Sequence, residues 1–291
     1  MSHRLPVGRR AVSRLPVGRR PAAAGTSAAL AGGTLALLLA LTGCASGAAD
    51  AAPTGPGGSA SAASTAEPLT GELVVFAAAS LQDAFTALGE QLEQQNPALT
   101  VTFSFGGSST LATQLVSGAP ADVFAAASTS TMADAAEVTD EPHLFARNTL
   151  EIAVPAGNPA GITGLADLAD PDRTIALCAV EVPCGAAAEK AFAAAGLTPA
   201  PDTYEKDVTA TLTKVQLGEV DAALVYRTDV IGAGDSVAGI DFPEAAETVN
   251  DYPVAVLADA PNPAAARAFL ALVLSPAGQD VLADAGFAPA G

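Results

Sequence analysis

Leu73 to Phe76 is an unbroken apolar run, and short runs of this kind read as buried strands. Three alanines follow. From Ser80 onward Leu81, Ala84, Phe85, Leu88 and Leu92 recur at helical spacing. The pattern predicts a strand, a small-residue turn and a helix in succession. Ser80 with Asp83 reads as a loose capping box, Asp standing for the usual Glu or Gln. A strand that feeds a helix start presents unpaired N–H groups and the positive end of the macrodipole, which suits an anion. The same pattern also serves as an ordinary capped junction.

The motif repeats. Thr100 to Phe105 alternates as a strand and runs into Gly106-Gly107-Ser108-Ser109-Thr110, then a helix through Leu111, Leu115 and Val116. Further strands are predicted over 123–127, 150–154, 174–180, 221–226 and 253–257. Helices are predicted through Ala188, Ala191 and Phe192 up to Gly196, from Asp207 or Thr209 to near Gly218, and over 264–274 and 277–285. Leu165 and Leu168 fit a short helix that Pro171 ends. Strands alternate with helices throughout, so the fold class is α/β with largely parallel sheets. At 291 residues the chain has room for roughly two domains.

The first 44 residues depart from this pattern. They carry six arginines and no acid, and Arg4–Arg10 recurs as Arg14–Arg20. An apolar stretch, Ala28 to Leu41, leads to Leu41-Thr42-Gly43-Cys44. A basic region, a short apolar core and small residues make an export signal, residues 1–43. The apolar run falls short of the roughly 20 residues a membrane span needs. Its ending resembles a bacterial lipobox, which implies cleavage before Cys44 and lipidation of that thiol. Residues 44–69, rich in Ala, Gly, Ser, Thr and Pro, read as the lipidated Cys and a flexible linker.

Setting the six arginines aside leaves seven basic against 31 acidic residues, a formal charge of −24 for the remainder. Such a body repels polynucleotides and anionic lipid. An anionic ligand must then be held by local dipoles against the overall field, which screening over about 8 Å permits. Three cysteines and two histidines, His3 and His143, argue against a His/Cys metal cluster. With Cys44 taken by lipid, Cys178 and Cys184 remain as an even pair outside the reducing cytoplasm. They form either a disulfide, which the compartment favours, or two free buried thiols.

Six short motifs occur in register: Phe76-Ala-Ala-Ala-Ser80-Leu81, Gly107-Ser-Ser-Thr110-Leu111-Ala112, Gly118-Ala-Pro-Ala-Asp122-Val123-Phe124, Val182-Pro-x-Gly185, Leu224-Val-Tyr226-x-x-Asp229 and Tyr252-Pro-Val-Ala-Val256. Together, over roughly Gly71 to Phe287, they resemble the molybdate-binding proteins of ABC uptake transporters. The resemblance implies the two-lobed periplasmic-binding-protein (type II) fold, with the ligand in the interlobe cleft. Residues 70–149 and 250–291 would form lobe I, and 150–249 lobe II. It implies oxyanion contacts from Ser80, Ser108, Cys184, Val208 and Tyr226. Cys184 stands where the family has Ala, and Val208 lies 18 residues before the binding Tyr. Contacts reach the oxygens, with no direct metal coordination. The implied ligand is molybdate or tungstate, with no cofactor. The implied partners are ABC permease subunits with their ATPase, and the protein is a monomer anchored by lipid to the outer face of the cell membrane.

This ligand set is neutral and rich in donors, which favours a dianion without a proton of its own. Hydrogen phosphate would bury an unpaired donor at a cost of about 1–3 kcal/mol. Molybdate over sulfate rests on the resemblance alone. An enzyme is the alternative from another class, since Ser108-Ser109 follows two glycines. No Gly-x-Ser-x-Gly motif occurs, and His143, in an acidic Pro-containing stretch, is the sole histidine after export. A Walker A motif is absent, which excludes the transporter's ATPase.

Overall fold

The computed structural model describes residues 68–291. The export signal, Cys44 and most of the linker lie outside the described residues. The chain begins with β1 (Thr70–Ala78), a 3₁₀ turn (Ala79–Leu81), α1 (Gln82–Gln95), β2 (Ala98–Gly106), α2 (Ser108–Val116), β3 (Val123–Ala125), α3 (Thr129–Asp134) and β4 (His143–Asn148). It continues through β5 (Leu150–Pro155), β6 (Ile175–Cys178), α4 (Pro183–Ala195), β7 (Thr203–Glu205), α5 (Val208–Gln216), β8 (Ala222–Tyr226), α6 (Arg227–Ala233) and β9 (Val237–Ile240). It closes with β10 (Asn250–Val256), α7 (Pro263–Leu274), α8 (Pro276–Asp284) and β11 (Ala288–Pro289).

Two sheets result. The first has strand order β11-β4-β10-β3-β1-β2 and the second β7-β6-β8-β5-β9. The chain passes from the first to the second through Thr149 alone, and returns between β9 and β10. Strand alternation explains the packing of the first sheet. Leu73, Val75 and Ala77 of β1 join Phe85 and Leu88 of α1 and Phe269 of α7 on one face. Phe76 points the other way, onto Leu111 and Leu115 of α2. A strand covered on both faces must be apolar throughout, which is why 73–76 shows no alternation of polarity. The second sheet has its own core of Ile152, Leu177, Phe192, Leu212 and Leu224.

The structure corrects two expectations. The sheets are mixed: β1 runs parallel to β2 and β3, but β10 is antiparallel to β3 and β4, and β5 is antiparallel to β8 and β9. The Ser80–Asp83 capping box does not form. The helix starts at Gln82 after the 3₁₀ turn, with no side-chain cap, because the Ser80 hydroxyl is engaged by Tyr252. Strand β4 is an element that the sequence pattern did not predict, and His143 is exposed at its start. Its single buried pair, Phe145 and Ala146, left little period-2 signal.

Phe85 is fully buried, with ring centroids 5.7 Å from Phe145 and 5.4 Å from Phe269. Truncating it leaves a cavity at the junction of α1, β4 and α7. Phe85→Ala should lower stability by about 3–5 kcal/mol, read as a shift of the urea midpoint. A loss below about 1 kcal/mol would contradict this placement of the core.

Candidate anion-binding site

The C-terminal ends of β1 and β2 in the first sheet face the starts of α4 and α5 and the end of β8 in the second. Between them is a small cavity lined by Ala78, Ala79, Ser80, Gly106, Gly107, Ser108, Ala127, Val182, Pro183, Cys184, Asp207, Val208 and Tyr226. All five residues expected to contact an oxyanion are in this lining. Its volume, about 10 Å³, accommodates roughly one water-sized body. Ligands such as sugars or peptides need several hundred, roughly 300–1,000 Å³. The closed cleft therefore suits a single compact ion.

Helix starts supply most of the polarity. The first N–H groups of any helix have no intrahelical acceptor. The helices of this chain treat them in two ways. Away from the cavity, α3, α7 and α8 are capped by the side chains of Ser128, Asn262 and Ser275. At the cavity, the 3₁₀ turn before α1, α2 after Gly107 and α4 after Val182 have no side-chain cap. Helix α5 is partly capped: Asp207 accepts from the Ala210 N–H at 2.8 Å, which leaves Val208, the first helical residue, outside that bond. Gly107 also sets how closely the two sides approach. A Cβ there would stand 2.6 Å from the Lys206 carbonyl oxygen of the opposite side.

Three hydroxyls complete the donor set. Ser108 is buried, and its Oγ accepts from the Ala127 N–H at 3.0 Å, so its own proton is free to be donated. Ser80 Oγ lies 2.9 Å from the Tyr252 hydroxyl. Asn148 Nδ2 donates to Thr228 Oγ1 at 2.8 Å and reaches the Tyr252 hydroxyl at 3.4 Å. Either hydroxyl can donate in the Ser80–Tyr252 bond; with Tyr252 as the donor, Ser80 keeps its own proton for an anion. The Tyr226 hydroxyl is buried and has no hydrogen-bond partner among the described residues. Its ring meets Tyr252 edge-on at 6.0 Å. Burial holds its phenol well above the ordinary value, so it stays a donor.

Among the described residues, no Lys, Arg or His side chain lines the cavity. The lining is not wholly neutral, however, because Asp207 belongs to it. One of its oxygens is bonded to Ala210 N–H and the other is 3.8 Å from Lys206 Nζ. Its carboxylate is thus turned toward its own helix, with one oxygen committed to the Ala210 N–H. Asp229, three residues after Tyr226, accepts from the Tyr226 N–H at 2.9 Å and fixes the end of β8. Burial raises its pKa to about 7, the Tyr226 N–H opposes this, and Asp83 and Asp207 add to the rise.

Cys178 and Cys184 are joined by a disulfide that closes the β6–α4 loop. Cys184 thus enters the lining tied to the end of β6. Tyr252, Asn148, Asp207 and Thr228 were not foreseen as members of the site. Tyr252 had a signal, since it opens one of the six motifs. The others are polar residues whose partners are 80 or more positions away, or lie one turn along their own helix. As to catalysis, Ser109 donates to the Glu181 carbonyl and His143 lies outside the lining. Among the described residues, no group of three His, Cys, Asp or Glu side chains could hold a metal ion.

Comparison with known proteins adds to this geometry. Residues 73–288 match the family model of a bacterial extracellular solute-binding protein. The molybdate-binding protein of Mycobacterium tuberculosis is 46% identical over 230 residues, 77% of this chain and 88% of that protein. The periplasmic molybdate-binding protein of Azotobacter vinelandii has a TM-score of 0.65 at 19% identity, covering 74% of this chain and 98% of that one. The sulfate-binding protein of M. tuberculosis has the same TM-score at 18% identity, covering 75% and 86%. At those identities the two structures speak to the fold alone.

The raised pKa of Asp229 has a stability consequence. Between pH of about 4 and about 7 the native carboxyl keeps a proton that the unfolded chain has lost. Its contribution is complete below that window and is lost as pH rises through about 7. Asp229→Asn removes this dependence while leaving an oxygen to accept from Tyr226. In urea unfolding, the variant should gain on the wild type as pH rises across the window. A difference that stays constant with pH would contradict the assignment.

Proposed function

We propose that this chain, which belongs to the bacterial extracellular solute-binding protein family, captures molybdate in the cleft between its two sheets and presents it to an ABC importer. Tungstate, the same shape and charge, is accepted alongside it. Ser80 and Ser108 hold the anion from the first lobe, residues 70–149 and 250–291. Cys184, Val208 and Tyr226 hold it from the second, residues 150–249. The observation that carries this reading is the uncapped helix starts and three hydroxyl donors around one small cavity, with the Tyr226 hydroxyl unpartnered. Donors buried without acceptors are costly, and a tetrahedral oxyanion supplies acceptors on every side.

The donor set favours a fully deprotonated dianion. Hydrogen phosphate must place its own proton on an acceptor, and Asp207, a carboxylate in the lining, is turned toward its own helix start with one oxygen accepting from the Ala210 N–H. Sulfate satisfies the donors equally well. Preference for molybdate is supported by the 46% identity to a molybdate-binding protein. Each side of the cleft offers part of the contacts, so the closed state is stabilised by its differential affinity for the anion. A permease can then distinguish loaded from empty protein. The role is binding rather than catalysis, by a monomer held at the outer face of the membrane through lipid on Cys44.

Calorimetric titration of the purified protein with molybdate, tungstate, sulfate and phosphate tests the reading. Molybdate and tungstate should bind tightest and phosphate negligibly; sulfate binding as tight as molybdate would overturn the ligand assignment. Tyr226→Phe should weaken molybdate binding by about 1–3 kcal/mol and at the same time stabilise the free protein, because a buried unpaired hydroxyl is removed. If both quantities match wild type, Tyr226 is not a ligand contact. For the anchor, Cys44→Ala should move the protein from the membrane fraction to the soluble one. Unchanged fractionation, with no lipid on the wild-type N-terminal peptide, would exclude lipidation.

A further inference from the structure

Among the described residues, two side-chain hydrogen bonds join the two sides of the cleft. Asn148 to Thr228 lies at the crossover. The other lies at the mouth: Ser109 Oγ donates to the Glu181 carbonyl oxygen at 2.5 Å, across 72 positions of sequence. Ser109 is the second residue of α2, next to the site residue Ser108, yet it does not line the anion cavity. It borders a neighbouring cavity of about 450 Å³ together with Glu181, Val182 and Pro183.

The acceptor is held in place. Glu181 lies within the loop closed by Cys178–Cys184. Inside that loop Val182 N–H donates to the Ala179 carbonyl at 3.1 Å. Gly185 packs so tightly that a Cβ would stand 1.9 Å from the Ala179 oxygen. Cys178 Sγ lies 3.3 Å from Thr211 Oγ1, which ties the loop to α5. The loop is therefore braced internally and tied to its own lobe at Thr211, and the Glu181 carbonyl accepts from Ser109 of α2.

We propose that Ser109 and the disulfide-tied loop form a clasp that holds the cleft shut and sets how long the anion stays. The clasp rests on the reading of the site given above; its bond, Ser109 to Glu181, touches no part of the anion, although Cys184 at the end of the loop lies in the lining. Its two groups are hydrated when the cleft is open and bonded to each other when it is closed. It therefore acts on the closed state, and through it on dissociation rather than on encounter. Ser109 is a positioning residue in this scheme, and the disulfide keeps its acceptor within reach.

The test is stopped-flow kinetics with molybdate. Ser109→Ala should raise the dissociation rate about three- to tenfold, the size expected for one net hydrogen bond, and leave the association rate unchanged. Ser109→Thr, which keeps the hydroxyl, should restore the wild-type rate. Replacing both Cys178 and Cys184 by Ser should also speed dissociation, and in that background Ser109→Ala should add little, because the two changes act on one contact. A wild-type dissociation rate in Ser109→Ala, or full additivity with the cysteine pair, would overturn the proposal. If the wild type binds no molybdate, the functional reading fails. The clasp is then read in the free protein, from spin-label distances between α2 and α4. A smaller closed population in Ser109→Ala supports it, and identical distributions refute it.

Discussion

The structure depends on a mismatch between donors and acceptors that is buried on purpose between two sheets. Three helical segments open uncapped at one cavity, and a tyrosine hydroxyl has no partner there. Each such group costs free energy when withdrawn from water unpaired. A fold can retain this cost only if a guest removes it. Both sheets are arranged so that strand ends and helix starts meet at this cavity, and the guest must be small, anionic and furnished with acceptors only.

The charge of the molecule sharpens the point. A body with formal charge −24 after the N-terminal arginines opposes any anion at long range. Within the cavity N–H and O–H dipoles a few ångströms away oppose that field and the Asp207 carboxylate, while screening shortens the reach of the surface acids to about 8 Å. No cationic side chain is needed, and none among the described residues lines the site. A lysine or arginine there would hold the anion in the open cleft too, and weaken the link between loading and closure. Neutral donors divided between two sides make that link strong.

Sequence reading reached the parts of this arrangement that are local. The apolar run 73–76 and the helical spacing after Ser80 mark the first strand–helix junction, and the glycines at 106 and 107 mark the second. Tyr226 and Val208 are legible only because six motifs keep register with a family. What escaped is non-local. The mixed strand directions are set by pairings between strands distant in sequence, such as β10 with β3 and β4, which hydrophobic periodicity does not reveal. Ser80 looks like a helix cap until Tyr252, 172 positions away, engages its hydroxyl. Tyr252 is aimed there from a strand whose register slips between Tyr252 and Pro253, where the missing proline N–H is tolerated. Asp207 reads as an ordinary N-cap, which it is, and its place in the lining is visible only once α5 is set against Gly107.

The central claim is that one oxyanion sits where donors from both sides converge. The most direct measurement is a crystal structure of the protein grown with molybdate, with anomalous diffraction recorded at a wavelength where molybdenum scatters. The account predicts a single strong anomalous peak in the cavity, its oxygens within hydrogen-bonding distance of the Ser80, Ser108 and Tyr226 hydroxyls and of the Cys184 and Val208 N–H groups. A peak elsewhere, or density in the cavity without molybdenum, would contradict it.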